Sequence, residues 1–300
     1  LQILLMLGGM PFLEGLMITF GTAGTGGLSV RNTSIGVYSP YIQWVVGIFM
    51  LLFGVNFNMY YLIILKKFKE AFSMEEVKAY FLMIAAAVAL IFFNLYDHTR
   101  AAADVLREAF FQVSTLVTST GYATCDYDLW PSFSKMILII MMLVGACAGS
   151  TGGGLKVSRI LILIKGAFRA MTAYLHPKSV RKVKMDGKTV EEDMMISVGV
   201  YLMVFNVILV LSMLIVSLEG RDLLTTFSAV LATLNNMGPG FNDVGPTCNF
   251  GGMTALSKYV LMFVMLAGRL ELFPVLLLLS PTLWKEAAVR FVKDRNRVKV

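Results

Sequence analysis

Apolar residues in this chain gather into runs of two lengths. Four long runs lie at residues 41–65, 77–93, 194–218 and 254–280, the last with a charged break at Arg269 and Glu271. A helix needs about 20 apolar residues to cross the hydrocarbon core, so each is predicted to be a membrane span. A fifth run, residues 133–171, is too long for one span and is interrupted by GACAGSTGGG at 145–154. Three shorter runs lie at 12–23, 103–118 and 223–234. They are too short to cross as helices, but their length suits segments that enter the membrane and return. Non-helical backbone at that depth is tolerated only inside protein or beside a water-filled cavity.

Composition agrees with this pattern. Of 300 residues, 57% are hydrophobic and 15% charged, against roughly 25% charged in soluble domains. That argues against a cytosolic enzyme, a nucleic-acid-binding module and a disordered chain. Cys125, Cys147 and Cys248 form no CxxC, and His98 and His176 lack metal-ligand spacing, so neither a zinc site nor a disulfide framework is expected. The chain begins at Leu1 within a hydrophobic stretch and reads as a piece of a longer protein, not as a signal peptide.

The net charge of +7 is unevenly placed. Segments 66–78, 165–193 and 285–300 hold seventeen Lys and Arg against nine acids, whereas the alternate connections hold six against eight. The first set is therefore cytoplasmic. The basic run His176–Lys184 is a solvated cytoplasmic loop on the plain reading and a contact for a cytosolic partner on the sharper one.

Each short run ends in a glycine-bearing turn: AGTGGLS at 23–29, TSTGYAT at 118–124 and LNNMGPGFN at 234–242. Aligned on Gly26, Gly121 and Gly238, the turns repeat at spacings of 95 and 117 residues. The repeating unit is helix, short re-entrant helix, glycine turn, helix. A monovalent cation that sheds its water needs oxygens in return, and backbone carbonyls can supply them. Glycine gives the backbone the angles this requires. Hydroxyls at Thr25, Ser119 and Thr120 and the negative ends of the short helices add to the field. The competing reading is that these are close-packing glycines in a helical bundle.

On AGTGGLS, STGYAT and NNMGPGF, together with GACAGSTGGGLKVSR and GRLELFP, the chain resembles the TrkH family. These are the membrane subunits of bacterial Trk potassium-uptake systems, in the superfamily that also holds KtrB and the plant HKT transporters. The resemblance runs from about Phe12 to Trp284. It implies an all-α, polytopic membrane protein with pseudo-fourfold pore-loop repeats. It also implies potassium uptake through a gated, channel-like pore in the bacterial cell membrane, as a homodimer with a cytosolic, nucleotide-binding subunit of the TrkA type. Potassium is the transported ion, and no organic cofactor is expected in this subunit.

The family pattern assigns Gly24, Thr25 and Gly26 to the filter of the second repeat. It assigns Ser119, Thr120 and Gly121 to the third, and Asn236, Met237 and Gly238 to the fourth. The implied organisation is the end of the second repeat at 1–66, the third at 67–172, a cytoplasmic loop at 173–189, the fourth at 190–284 and a cytoplasmic tail at 285–300. The first repeat and the inner helix of the second are expected to precede Leu1.

Two further features fall within the spans. Five glycines with Ser150 and Thr151 among ten residues break a helix, since each interior glycine costs about 1 kcal/mol relative to alanine. Gly145, Gly149, Ser150, Thr151, Gly152, Gly153 and Gly154 are therefore read as a gate below the filter; a small-residue helix crossing is the alternative. The GxxxxGK[ST] phosphate-loop spacing is absent. Arg269, deep in the last span, needs a partner or water. It is either a positive plug in the pore or half of an ion pair with an acid on another helix, Glu271 of a neighbouring subunit or repeat being the first choice. A secondary transporter with broken helices fits the glycine break but not three parallel re-entrant repeats. A membrane enzyme would need clustered nucleophiles or carboxylates, which the spans lack.

Overall fold

The computed structural model describes residues 1–176 and 182–278. Among them the chain forms thirteen α-helices and one small hairpin. Helices α1 (Gln2–Leu7), α2 (Phe12–Ala23), α3 (Pro40–Phe53) and α4 (Phe57–Ile64) make the first unit. The short α5 (Phe68–Ser73) leads into α6 (Glu75–Leu95), α7 (Ala102–Val117), α8 (Ser132–Val144) and α9 (Val157–Leu175). The hairpin pairs β1 (Lys184–Met185) with β2 (Lys188–Thr189). Then come α10 (Glu192–Ser217), α11 (Leu223–Leu234), α12 (Ala255–Arg269) and α13 (Leu272–Leu278).

Helix boundaries follow local chemistry. Asp222 caps α11 by accepting from the Leu224 amide, and Thr254 caps α12 through Ser257. Proline occupies the first position of α3 and precedes α2 and α8, where its missing N–H is no loss.

The three short runs become the most enclosed helices. Residues 111–117 of α7 and 228–232 of α11 are buried without interruption. α7 packs between α3, α6 and α8, and α11 between α8, α10 and α12. The long helices form the outer layer. α10 spans 26 residues, about 39 Å at 1.5 Å per residue, and turns Met203, Val210 and Leu214 outward. Exposed apolar side chains on the outer helices and enclosed polar turns inside define a multi-pass helical membrane protein.

Two predicted spans are not straight. The run 41–65 divides into α3 and α4, which meet at 88° across Gly54–Val55–Asn56. Asn56 starts the second helix by accepting from the Asn58 amide, and Gly54 lies so close to Tyr80 and Thr118 that a side chain would not fit. Apolar composition continues through the bend and hides it. The last run divides into α12 and α13, bent by 118° at Leu270–Glu271, where Glu271 takes a φ of 69°. The run 133–171 breaks as expected, though the gap extends to Lys156, which has a φ of 69°. The end of the fourth unit beyond 278, the tail 285–300 and residues 177–181 of the basic loop lie outside the described residues.

Candidate ion pathway

After each short helix the backbone makes the same sequence of moves. The first residue past the cap turns left-handed at Thr25, Ser119 and Asn236, with φ of 50°, 54° and 56°. The next amide reaches back five residues: Gly26 to the Gly21 carbonyl, Thr120 to Thr115 and Met237 to Ala232, at 2.8, 2.9 and 2.8 Å. A left-handed glycine follows in each case, Gly27, Gly121 and Gly238, with φ of 59°, 87° and 95°.

These matches correct the alignment of the first turn. The counterpart of Gly121 and Gly238 is Gly27, and Gly26 corresponds to Thr120 and Met237. In AGTGGLS two adjacent glycines compete for one place, and the positive φ decides between them.

The turns interlock in order around an axis. A side chain on Gly27 would collide with the Thr120 carbonyl oxygen, and one on Gly121 with the Met237 carbonyl oxygen. Each glycine thus admits the neighbouring unit's carbonyl. Gly238 has no neighbour within 4 Å at the same position. Between Gly24–Gly26 and Asn236–Gly238 lies a cavity of about 810 Å³ that Met265 and Arg269 also line. The described units therefore enclose three sides of the axis.

Among the described residues the carbonyls of Gly26, Thr120 and Met237 accept no hydrogen bond, nor do those of Thr25, Ser119 and Asn236. Thr25, Ser119, Thr120 and Met237 are nevertheless buried. Buried backbone carbonyls are nearly always paired, so unpaired ones at these four buried residues, continued at matching positions by the half-buried Asn236 and the exposed Gly26 beside the cavity, mark a place suited to an oxygen-seeking species. The side chains Thr25 Oγ1 and Ser119 Oγ fold back onto the preceding carbonyls at 2.8 and 2.7 Å. Tyrosines brace the arrangement: Tyr122 Oη donates to Leu28 O at 3.3 Å, and Tyr127 Oη to Gly240 O at 2.9 Å. Sequence reasoning missed both; Tyr122, directly after a filter glycine in STGYAT, was the available signal.

The glycine-rich loop 145–154 lies directly beneath. Thr151 O accepts from Thr25 Oγ1 at 2.9 Å, the Gly153 amide donates to Ser119 Oγ at 2.6 Å, and a side chain at Gly153 would strike the Asn235 carbonyl. The loop therefore touches all three turns. Arg269 spans the same boundary, giving Nη1 to Thr151 O at 3.2 Å and Nη2 to Gly24 O at 3.1 Å. Below them is a smaller cavity of about 300 Å³ lined by the loop, Lys156, Tyr201, Arg269 and Glu271. Lys156 Nζ reaches Gly152 O at 3.0 Å, a second cation beside the loop, which sequence reasoning weighed only as a phosphate-loop lysine.

Within the chain, Glu271 does not pair with Arg269. It pairs with Arg159 of the same chain at 2.7 Å, and the Arg159 guanidinium lies over the Tyr201 ring at 3.9 Å. Among the described residues Arg269 forms no ion pair with a carboxylate. The bend at Leu270 carries Glu271 toward α9 and leaves Arg269 facing the loop.

Short enclosed helices, glycine turns with free carbonyls and broken outer helices define a pore-loop membrane protein. The profile of the TrkH family, described as a cation transport protein, matches residues 5–287, and the chain belongs to that family. It is 34% identical over 285 residues to the Trk system potassium uptake protein TrkH of Salmonella typhimurium, covering 93% of this chain and 58% of that protein. It is 32% identical over 286 residues to the Trk system potassium uptake protein TrkG of Escherichia coli, with the same coverage. The crystal structure of the potassium transporter TrkH from Vibrio parahaemolyticus superposes with a TM-score of 0.87 at 31% identity, covering 94% of this chain and 61% of that one. The chain thus spans about three fifths of the length of these relatives.

Proposed function

We propose that this chain supplies three sides of a gated potassium-uptake pathway in a bacterial inner membrane. The observation that carries the reading is the set of unpaired carbonyls at Thr25–Gly26, Ser119–Thr120 and Asn236–Met237, four of them on buried residues, held at matching positions by left-handed glycines. Such carbonyls replace the hydration of a monovalent cation without any carboxylate. The names of the relatives support potassium as the ion. A closed ring needs a fourth filter segment in the gap between Gly24–Gly26 and Asn236–Gly238. In this reading the units are 1–66, 67–172 and 190–284, loop 145–154 is the gate, and Arg269 holds it against the filter. Regulation falls to a cytosolic nucleotide-binding partner of the TrkA type, and the assembly is a homodimer. Transported potassium is the one small species the reading requires, and no catalytic step belongs to it.

The test is uptake by lipid vesicles holding the intact protein. Rubidium entry that exceeds sodium entry and is competed by external potassium is the expected result. Equal entry of the two ions, or none above empty vesicles, overturns the reading.

A further inference from the structure

Glu76 is a buried carboxylate in the first turn of α6, only 3% exposed. Among the described residues it has no cationic partner within ion-pair distance. Its bonds go elsewhere. Oε1 accepts from the Ala148 amide at 2.6 Å and from the Ser158 amide at 3.1 Å. Oε2 accepts from Asn56 Nδ2 at 3.1 Å. One oxygen therefore joins two amides ten residues apart, Ala148 in the first half of the glycine loop and Ser158 at the start of α9 just beyond it. The other oxygen joins them to the bend between α3 and α4.

Neighbouring contacts reinforce the same junction. The Cys147 amide donates to Gly54 O at 3.1 Å, and the Phe57 amide to Gly149 O at 3.2 Å. The helix turn that carries Glu76 is itself fixed from the cytoplasmic side. The Glu75 amide donates to Asp186 of the hairpin at 2.6 Å, and the Glu75 carboxylate pairs with Lys165. An ionised acceptor makes hydrogen bonds roughly twice as strong as a neutral one. A carboxylate spent on one amide of the loop and one of the helix that follows it is thus a strong, local tether.

We propose that Glu76 is the positioning residue that pins both feet of loop 145–154, so that movement is confined to the segment from Ser150 to Gly154 that meets the filter. The inference rests on the proposal that this loop is the gate, and the experiment separates the two.

Cys147, fully buried on the first foot, is a built-in reporter, and the half-buried Cys125 beside the outer turn is a control. In a Cys248→Ser background, site-resolved labelling by a small membrane-permeant thiol reagent is compared with rubidium and sodium flux in the intact protein. Glu76→Ala is expected to speed Cys147 labelling by about tenfold or more, leave Cys125 unchanged, and raise rubidium flux with the rubidium-to-sodium ratio preserved. Glu76→Gln keeps one oxygen but loses the charge, and is expected to give a smaller, several-fold rise. Faster Cys147 labelling without a change in flux supports the tether and overturns the gate. Unchanged Cys147 labelling in Glu76→Ala overturns the tether, as does equal acceleration at both cysteines, which marks general loosening. Should Glu76→Ala fail to fold, unchanged labelling in Glu76→Gln overturns it in the same way.

Discussion

A single methyl group at Gly27 would collide with the Thr120 carbonyl oxygen, on a residue whose φ of 59° already disfavours any side chain. At Gly26 the same methyl meets nothing within 4 Å. Gly27→Ala should therefore disturb the filter at a cost of about 1–3 kcal/mol, with loss of rubidium-over-sodium preference. Gly26→Ala should keep that preference. Flux ratios of the two variants in vesicles decide the register, and the opposite ranking would restore Gly26 as the filter glycine. Arg269 is the second case. Two like charges about 6 Å apart at an effective dielectric near 20 repel by roughly 2.8 kcal/mol, so Arg269→Ala should raise cation flux by up to about a hundredfold. Charge alone would let lysine replace it. The guanidinium, however, bridges carbonyls on two segments, Thr151 and Gly24, and an ammonium on a flexible stem does not reproduce that fork. Arg269→Lys is accordingly expected to hold the loop only in part, with flux between wild type and alanine. Flux per reconstituted molecule at or below wild type in Arg269→Ala would discard the plug.

At the scale of elements, what the sequence showed depended on whether polarity changed where the structure did. The bounds of α2 and α11 coincide with the runs 12–23 and 223–234, because polar turns flank apolar helices on both sides. The bend at Gly54–Asn56 leaves hydrophobicity unbroken and was legible only through a glycine and a capping asparagine. Glu76 and Lys156 were not legible as parts of the site. Most of their partners are groups brought close by folding from distant parts of the chain, and no sequence pattern encodes them. The same holds for Glu219, which binds α10 to α12. Its carboxylate accepts from Ser257 Oγ at 2.7 Å, the Thr254 amide at 3.1 Å and Arg221 Nε at 2.9 Å. These bonds, led by that from Ser257, hold its pKa below the usual 4.5. A depressed carboxylate stabilises fully above its unfolded value, and that contribution disappears as pH falls through the folded one. Lowering the pH from 6 to below 4 should thus cost wild type more thermal stability than Glu219→Gln. Melting curves in detergent at the two pH values measure it, and equal losses would remove Glu219 from the account.

For the whole molecule, the proposed filter, loop and hairpin together with the charge pattern predict which end faces the cell interior. Positive charge collects on the side of β1–β2 and α9, and juxtamembrane Lys and Arg set orientation more strongly than acids do. The hairpin is tied to the start of α6 through Asp186 and to α9 through Lys165. The glycine loop lies between that end and the filter turns, whereas the segments following the filters, with Cys248 exposed among them, lie at the other end. The proposed uptake pathway needs this polarity, because its filter would meet external ions before the loop does. Cys248 should then react with a membrane-impermeant thiol reagent on intact cells. A cysteine introduced by Lys188→Cys on the exposed hairpin should react only in inverted membranes. With Cys125→Ser and Cys147→Ala as background, labelling in the two preparations reports each side separately. The reverse pattern would place the loop outside the filter and contradict both the charge argument and the direction of transport.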